Sequence, residues 1–186
     1  MKRGFKAEAE RIALEARGEL NLRDCDGLDV FALANHLEIP VLTMGDVASR
    51  NGQSSFKQYF SVVDPDVFSA ITIFIGRRRF IVHNETQHPH RQASNVSHEI
   101  SHTLLEHEPV ALVGSDGQRE WNPEMEAEAH WLGAALLVPR EGALRMARAG
   151  KLVEEIAEHY GVSSALCSWR IQQTGIFRQL ERGRRW

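Results

Sequence analysis

Cysteine is scarce in this chain: Cys25 and Cys167 are the only two among 186 residues, and they lie far apart. That excludes a disulfide-stapled scaffold. Neither stands in a paired metal-binding spacing, so both are read as space-filling residues. Long apolar runs are missing too; none approaches the ~20 residues that a membrane-spanning helix needs. The basic start, Met1-Lys2-Arg3-Gly4-Phe5-Lys6, is not followed by the apolar segment of a secretion signal. No charge of one sign dominates. The formal charge is −3, which gives no overall pull toward nucleic acid or an anionic membrane. Arg178, Arg182, Arg184 and Arg185 form a local basic exception. Internal repeats and low-complexity tracts are absent. These absences lead us to expect a soluble cytoplasmic protein of one domain, or one domain with a small appendage, whose 42% apolar residues suffice for a core.

What is present is mostly helix-forming. Phe5, Ala9, Ile12, Ala13 and Ala16 recur at helical spacing, and Gly18 is expected to close that helix. Asp29 can cap a second helix bearing Val30, Ala34 and Leu37. Ile39-Pro40-Val41-Leu42 reads as the start of a strand, where proline is tolerated. Residues 49–55 read as a loop around Asn51-Gly52. Ala70-Ile71-Thr72-Ile73-Phe74-Ile75 and Phe80-Ile81-Val82-His83 read as paired strands joined by a turn, Gly76-Arg77-Arg78-Arg79, whose arginines are expected in solvent. Residues 111–118, with Gly114 and Gly117, read as a loop. Asn122 and Pro123 occupy the cap and first position of a strong helix that Pro139 ends. Helices follow over 141–148 and 153–159, and from Ser163 onward.

The chain is organised around Ser97-His98-Glu99-Ile100-Ser101-His102, an H-E-x-x-H run. On a helix, residues four apart share a face one turn apart, so His98 and His102 can address one metal ion. Glu99 falls beside that ion, where a carboxylate can take a proton from an activated water. Val96, Ile100 and Leu104 give the helix an apolar side. No Gly or Pro interrupts residues 92–108, and Pro109 is expected to end the helix. The motif alone favours metal ligation, against the alternatives of a chance match or two ordinary half-buried histidines. A third ligand decides between them, because a protease-type site uses three protein ligands and one open position. The Pro123 helix offers Glu124, Glu126 and Glu128. Glu126 and His130 share a face and can meet the site together, Glu126 as ligand and His130 as its supporting partner. Glu124 and Glu128 read as helix-start acids in water. His107, extrapolated along a continuing helix, lies about 140° further round than His102 and is not expected to reach the same ion. His83, His88 and His90 read as surface or loop residues.

The run from Ser97 to His107, followed by Glu126-Ala127-Glu128-Ala129-His130-Trp131-Leu132-Gly133-Ala134-Ala135-Leu136-Leu137-Val138-Pro139, resembles the ImmA/IrrE family of zinc metallo-endopeptidases. Weaker likeness appears at residues 4–11, 33–41 and 80–84, so that the resemblance spans roughly residues 4 to 175. It implies zinc on His98, His102 and Glu126, with Glu99 as general base. It also implies a protein substrate, a helix-turn-helix transcriptional repressor whose cleavage derepresses stress-response or mobile-element genes. One departure is His130, where the family usually has Asn or Asp. Residues 152–163 followed by Ser168-Trp169-Arg170-Ile171 resemble a helix-turn-helix. Its second helix carries a single arginine, so we expect it to pack on the peptidase core rather than contact DNA.

The expected fold is α+β: a zincin-like metallopeptidase domain over residues 1–150 and a helical, helix-turn-helix-like appendage over 151–186. A small mixed or antiparallel sheet should lie beside the active helix, and the Pro123 helix should face that helix across the metal. The expected function is zinc-dependent endopeptidase. The competing expectation is a non-proteolytic metal-containing regulatory module that binds a repressor or DNA. Oligomeric state is not legible in the sequence.

Overall fold

Several helix starts are set by side chains that accept the first free amides. Asp29 Oδ1 takes the N–H groups of Phe31 and Ala32, Asn122 Oδ1 takes those of Glu124 and Met125, and Ser163 Oγ takes that of Leu166. The computed structural model describes residues 1–49, 69–76, 78–108 and 122–183. Its elements are α1 (Phe5–Glu19), α2 (Val30–His36), β1 (Val41–Thr43), α3 (Met44–Ser49), β2 (Ala70–Ile75), β3 (Arg78–His83), α4 (Pro89–Leu104), α5 (Pro123–Leu137), α6 (Arg140–Arg148), α7 (Val153–Tyr160), α8 (Ser164–Gln173) and α9 (Ile176–Gly183). The architecture is mixed α+β, with one three-stranded sheet among the described residues. None of the described helices is long and apolar enough to cross a membrane. Of the loop expected over 49–55, Ser49 instead ends α3 and the rest lies outside the described residues, as does the loop expected over 111–118.

The sheet order is β1-β3-β2, with β1 parallel and β2 antiparallel to β3. The register pairs Ile75 with Arg78, so Arg78 and Arg79 belong to β3 rather than to the turn expected over Gly76–Arg79. Gly76, at φ 62°, supplies the left-handed backbone such a turn requires. Arg79 therefore stands in a strand, half-buried, with its guanidinium over the ring of its cross-strand partner Phe74. Side chains alternate across the sheet. Ile71, Ile73 and Val82 face a small apolar cluster with Leu42, Met44 and Val47, the last two from α3, which sequence patterning had not indicated. Thr72 and its partner Ile81 face the other way, toward α4.

α4 ends earlier than its periodicity suggested. His88 is its cap, with Nδ1 accepting from the His90 amide, and Pro89 is its first residue. It stops at Leu104, four residues before Glu108, because Glu106 turns left-handed at φ 53° and the chain folds back. α1 likewise runs past Gly18 to Glu19.

α5 is the central element. From Trp131 to Leu137 every residue is buried, and it packs against both α4 and α1. One apolar core joins Ala9 and Ala13 of α1, Val96 and Ile100 of α4, Leu132 and Leu136 of α5, Ile156 of α7 and Ile171 of α8. The C-terminal carbonyls of α5 are taken by two fully buried guanidinium groups. Arg17 Nη1 donates to Leu136 O at 2.7 Å, and Arg170 Nε donates to Val138 O at 3.0 Å. Cations suit the negative end of a helix. Arg170 also pairs with Glu10. The one arginine between Ser163 and Arg170 is thus turned inward.

Two glycines mark close approaches. A Cβ on Gly133 would lie 3.3 Å from the backbone of Ser97 and His98. A Cβ on Gly142 would fall 2.1 Å from the carbonyl oxygen of Asp24 and 2.3 Å from the Tyr160 hydroxyl. Gly142→Ala is therefore expected to cost about 1–3 kcal/mol through overpacking, read as a lowered Tm. Gly18→Ala, inside α1 with open space around it, should leave Tm unchanged or raise it, since alanine is favoured over glycine in helices by ~1 kcal/mol.

Candidate metal centre

The apolar residues Val96 and Ile100 hold α4 against the core, and Ser97 and Ser101 are buried with them. That orientation leaves His98 and His102 on the flank facing α5. Their Nε2 atoms lie 3.1 Å apart, with ring planes steeply inclined to each other. Glu126, in the first turn of α5, brings Oε2 to 3.1 Å from His98 Nε2 and 3.7 Å from His102 Nε2. The close crossing at Gly133, two turns further along α5, sets this reach. There Ser97 Oγ donates to Gly133 O at 3.0 Å.

The three donor atoms are the one group among the described residues whose positions could hold a metal ion. Their spacing can be tested against a real ion. A tetrahedral zinc with bonds of ~2.0–2.1 Å holds its ligand atoms about 3.3–3.4 Å apart. The observed separations of 3.1, 3.1 and 3.7 Å bracket that value. Without a cation, two imidazole nitrogens and a carboxylate oxygen must share too few protons; one cation satisfies all three lone pairs together. The rings of His102 and then His98 hold the Glu126 carboxyl well below the usual carboxylate range, against the opposing effect of burial. It is an anion at any neutral pH, as a ligand must be.

Glu99, the residue after His98 on α4, is buried, with Thr72 Oγ1 of β2 donating to its Oε2 at 2.6 Å. One carboxylate oxygen is thereby fixed. His130 does not occupy the supporting position expected for it. Its ring packs edge-on against Trp169 of α8, 4.7 Å between centroids.

Three further placements differ from the sequence reading. Because α4 ends early, His107 returns alongside His102, with the two Nδ1 atoms 2.9 Å apart. Glu128 is buried rather than solvated, and its Oε2 lies 3.5 Å from His107 Nε2. Burial first, and the neighbouring His102 second, hold the His107 imidazole below its ordinary pKa, against the pull of Glu128. His83 is buried at the end of β3, 5.4 Å from the Phe31 ring, not a surface residue. Thr72, His107 and Glu128 are the neighbours of the site that sequence reasoning missed. A lone threonine in an aliphatic strand was the signal for the first. The other two depended on a left-handed turn at Glu106, a position no glycine announces.

These features define a class of site: an H-E-x-x-H helix and a carboxylate from a second helix, on an α+β scaffold. The chain belongs to the IrrE N-terminal-like domain family, Peptidase_M78, which it matches over residues 47–171, well over half its length. This is a metallopeptidase family. α1, α2 and β1 precede the matched span, so the likeness noted at residues 4–11 and 33–41 lies outside it. No curated protein matches the chain.

Metal should stabilise the fold by mass action. At a free zinc concentration 1,000 times Kd the gain is about 4 kcal/mol, so zinc should raise Tm by several degrees and a chelator should reverse it. Glu126→Ala should abolish that response, measured by thermal melts with and without zinc.

Proposed function

We propose that this protein is a zinc-dependent endopeptidase. His98, His102 and Glu126 hold the metal through Nε2, Nε2 and Oε2, and Glu99 is the general base. The observation that supports the reading is the convergence of the His98, His102 and Glu126 donor atoms, with Glu99, the residue after His98 on α4, buried and anchored through one oxygen by Thr72. Two imidazoles and one carboxylate suit zinc. When bound, zinc supplies Lewis acidity that polarises a scissile carbonyl and makes a water easier to deprotonate. The free oxygen of Glu99 takes a proton from the attacking water and later delivers it to the departing amine. Thr72 keeps the carboxylate from rotating between those two tasks. β2 stands at the end of the sheet order, so its outer edge is unpaired among the described strands. An extended substrate segment can add there as a further strand, next to Thr72 and hence to Glu99.

We further propose, on the family resemblance, that the substrate is a helix-turn-helix transcriptional repressor, cleaved in the cytoplasm. The zincin-like character of the fold and the helix-turn-helix-like character of α7 and α8 belong to the same reading. Arg170 in the core supports a packing role for α8 rather than DNA contact.

Glu99→Gln should lower cleavage of a candidate repressor by about 10²–10⁴-fold or more while zinc content, measured by elemental analysis, stays at one equivalent. Regulation that persists undiminished in that variant would instead favour a non-proteolytic, metal-containing module. Thr72→Val should lower kcat by roughly 10–100-fold, the worth of a hydrogen bond to a charged group, with KM little changed. Thr72→Ser should restore most of the rate.

A further inference from the structure

The proposed metal site uses one nitrogen of each imidazole, and the other nitrogen of His102 is also engaged. Its Nδ1 faces His107 Nδ1 at 2.9 Å, and on the far side of that second ring His107 Nε2 faces Glu128 Oε2 at 3.5 Å. The remaining oxygen of Glu128 accepts from the Lys2 amide at 3.4 Å. Both side chains are nearly sealed from water, His107 at 9% and Glu128 at 10% exposure. A buried carboxylate has to be compensated by donors, since its desolvation is costly. Here the donors are one backbone N–H and one imidazole.

We propose that His107 and Glu128 form a positioning relay behind His102, fixing its tautomer and ring orientation for the metal. The inference rests on the assignment of His102 as a ligand through Nε2. A nitrogen that binds a cation offers its lone pair and carries no proton, so neutral His102 must hold its proton on Nδ1. That proton points at His107 Nδ1, which must therefore be the acceptor. Neutral His107 then carries its own proton on Nε2, directed at Glu128. Each tautomer in the row is dictated by the one before it, and the row ends on a negative charge. Reversing the His107 tautomer would set two N–H groups against each other at 2.9 Å and leave the Glu128 carboxylate without its imidazole donor. The relay thus favours the one His102 tautomer that leaves Nε2 free for a cation.

The backbone is shaped for this. The left-handed residue Glu106 ends α4, and the His107 amide donates to His102 O at 3.0 Å. That bond ties the two histidines together through the main chain as well as through their rings. Glu128 stands two residues beyond Glu126 on α5, so one helix supplies both the ligand from its flank and the far end of the relay. His107 and Glu128 are positioning residues: neither is among the atoms that converge on the ion position.

The test uses the full chain and zinc itself. Competition against a chromophoric chelator should show zinc binding weakened about 10–100-fold in His107→Leu, the usual effect of losing a partner behind a metal-ligating histidine. His107→Asn, which keeps an acceptor close to the Nδ1 position, should recover most of that affinity; a role confined to filling space would not distinguish the two by hydrogen bonding. Glu128→Gln should fall between wild type and His107→Leu. On the unaltered, zinc-loaded protein, long-range ¹H–¹⁵N correlation of the imidazoles should find the proton of His102 on Nδ1 and that of His107 on Nε2. This measurement stands even if a variant fails to fold. A His107 proton on Nδ1, or zinc affinity in a folded His107→Leu equal to wild type, would overturn the relay. Failure of the unaltered protein to take up zinc would overturn the metal site itself, and the relay with it.

Discussion

The contact between the backbones of α4 and α5 governs the site. Ser97 and His98 meet α5 at Gly133 so closely that even a methyl group there would press on main-chain atoms. Ser97 adds a hydrogen bond to the Gly133 carbonyl at the same point. Carboxylate reach is short, and a Glu126 mounted two turns away can approach His98 and His102 only if the helices nearly touch. The small residue in α5 therefore serves the geometry of a polar cluster two turns away rather than the density of the apolar core around it.

A helix held at one crossing can still pivot, and the far end of α5 shows how that is prevented. Its last carbonyls meet Arg17 from α1 and Arg170 from α8, both with no exposed surface. Burying a guanidinium is expensive unless its donors are used. Arg17 spends its donors on the carbonyls of Leu136, Arg23 and Asp26; Arg170 uses Val138 O and the Glu10 carboxylate. Each also leaves one nitrogen without a partner among the described residues, Arg17 Nε and Arg170 Nη1. Both arginines join α5 to elements distant in sequence, so the N-terminal and C-terminal helices together fix the helix that carries Glu126. The N-terminal and C-terminal helices thus bear on the site without touching it.

Residue patterns exposed the local parts of this arrangement and hid the non-local ones. The caps Asp29, Asn122 and Ser163, the helix of α5 between Pro123 and Pro139, and the two strands around residue 76 were readable, because each depends on a few neighbouring residues. His98, His102 and Glu126 were readable as a possible trio because four-residue spacing and an inward helix face are local as well. Their meeting in space was not, since it depends on Gly133. The end of α4 was misjudged for a different reason. Leu105, Glu106 and His107 carry no helix breaker, and no glycine announces the left-handed φ of Glu106, where the chain closes the helix with amide bonds from Glu106 to Thr103 O and from His107 to His102 O. That single backbone angle put His107 beside His102 when helical extrapolation sent it elsewhere. Glu128 was misjudged with it, because an acid in the first turn of a helix is ordinarily content in water. His130 shows the converse: it shares the Glu126 face of α5, yet the aromatic ring of Trp169, brought in by α8, captures it.

The polar cluster also bears on stability. Glu126, His98 and His102 are drawn within hydrogen-bonding range by apolar packing that continues on either side of them, through Val96 and Ile100 on α4 and Leu132 on α5. The core thereby holds in place three groups that would otherwise separate and hydrate. A cation at their midpoint removes the conflict, so the free energy of metal binding is in part the release of a cost already met by the fold. Glu128 and Glu99 extend the same pattern. Each is a buried carboxylate with a donor fixed by a neighbouring element, Glu128 by His107 and Glu99 by Thr72 of the sheet. The sheet and the end of α4 thus approach the cluster from different directions, and its three donor groups are braced on several sides by the fold itself. Such preorganisation favours a cation whose geometry matches the cluster over one that would require it to open.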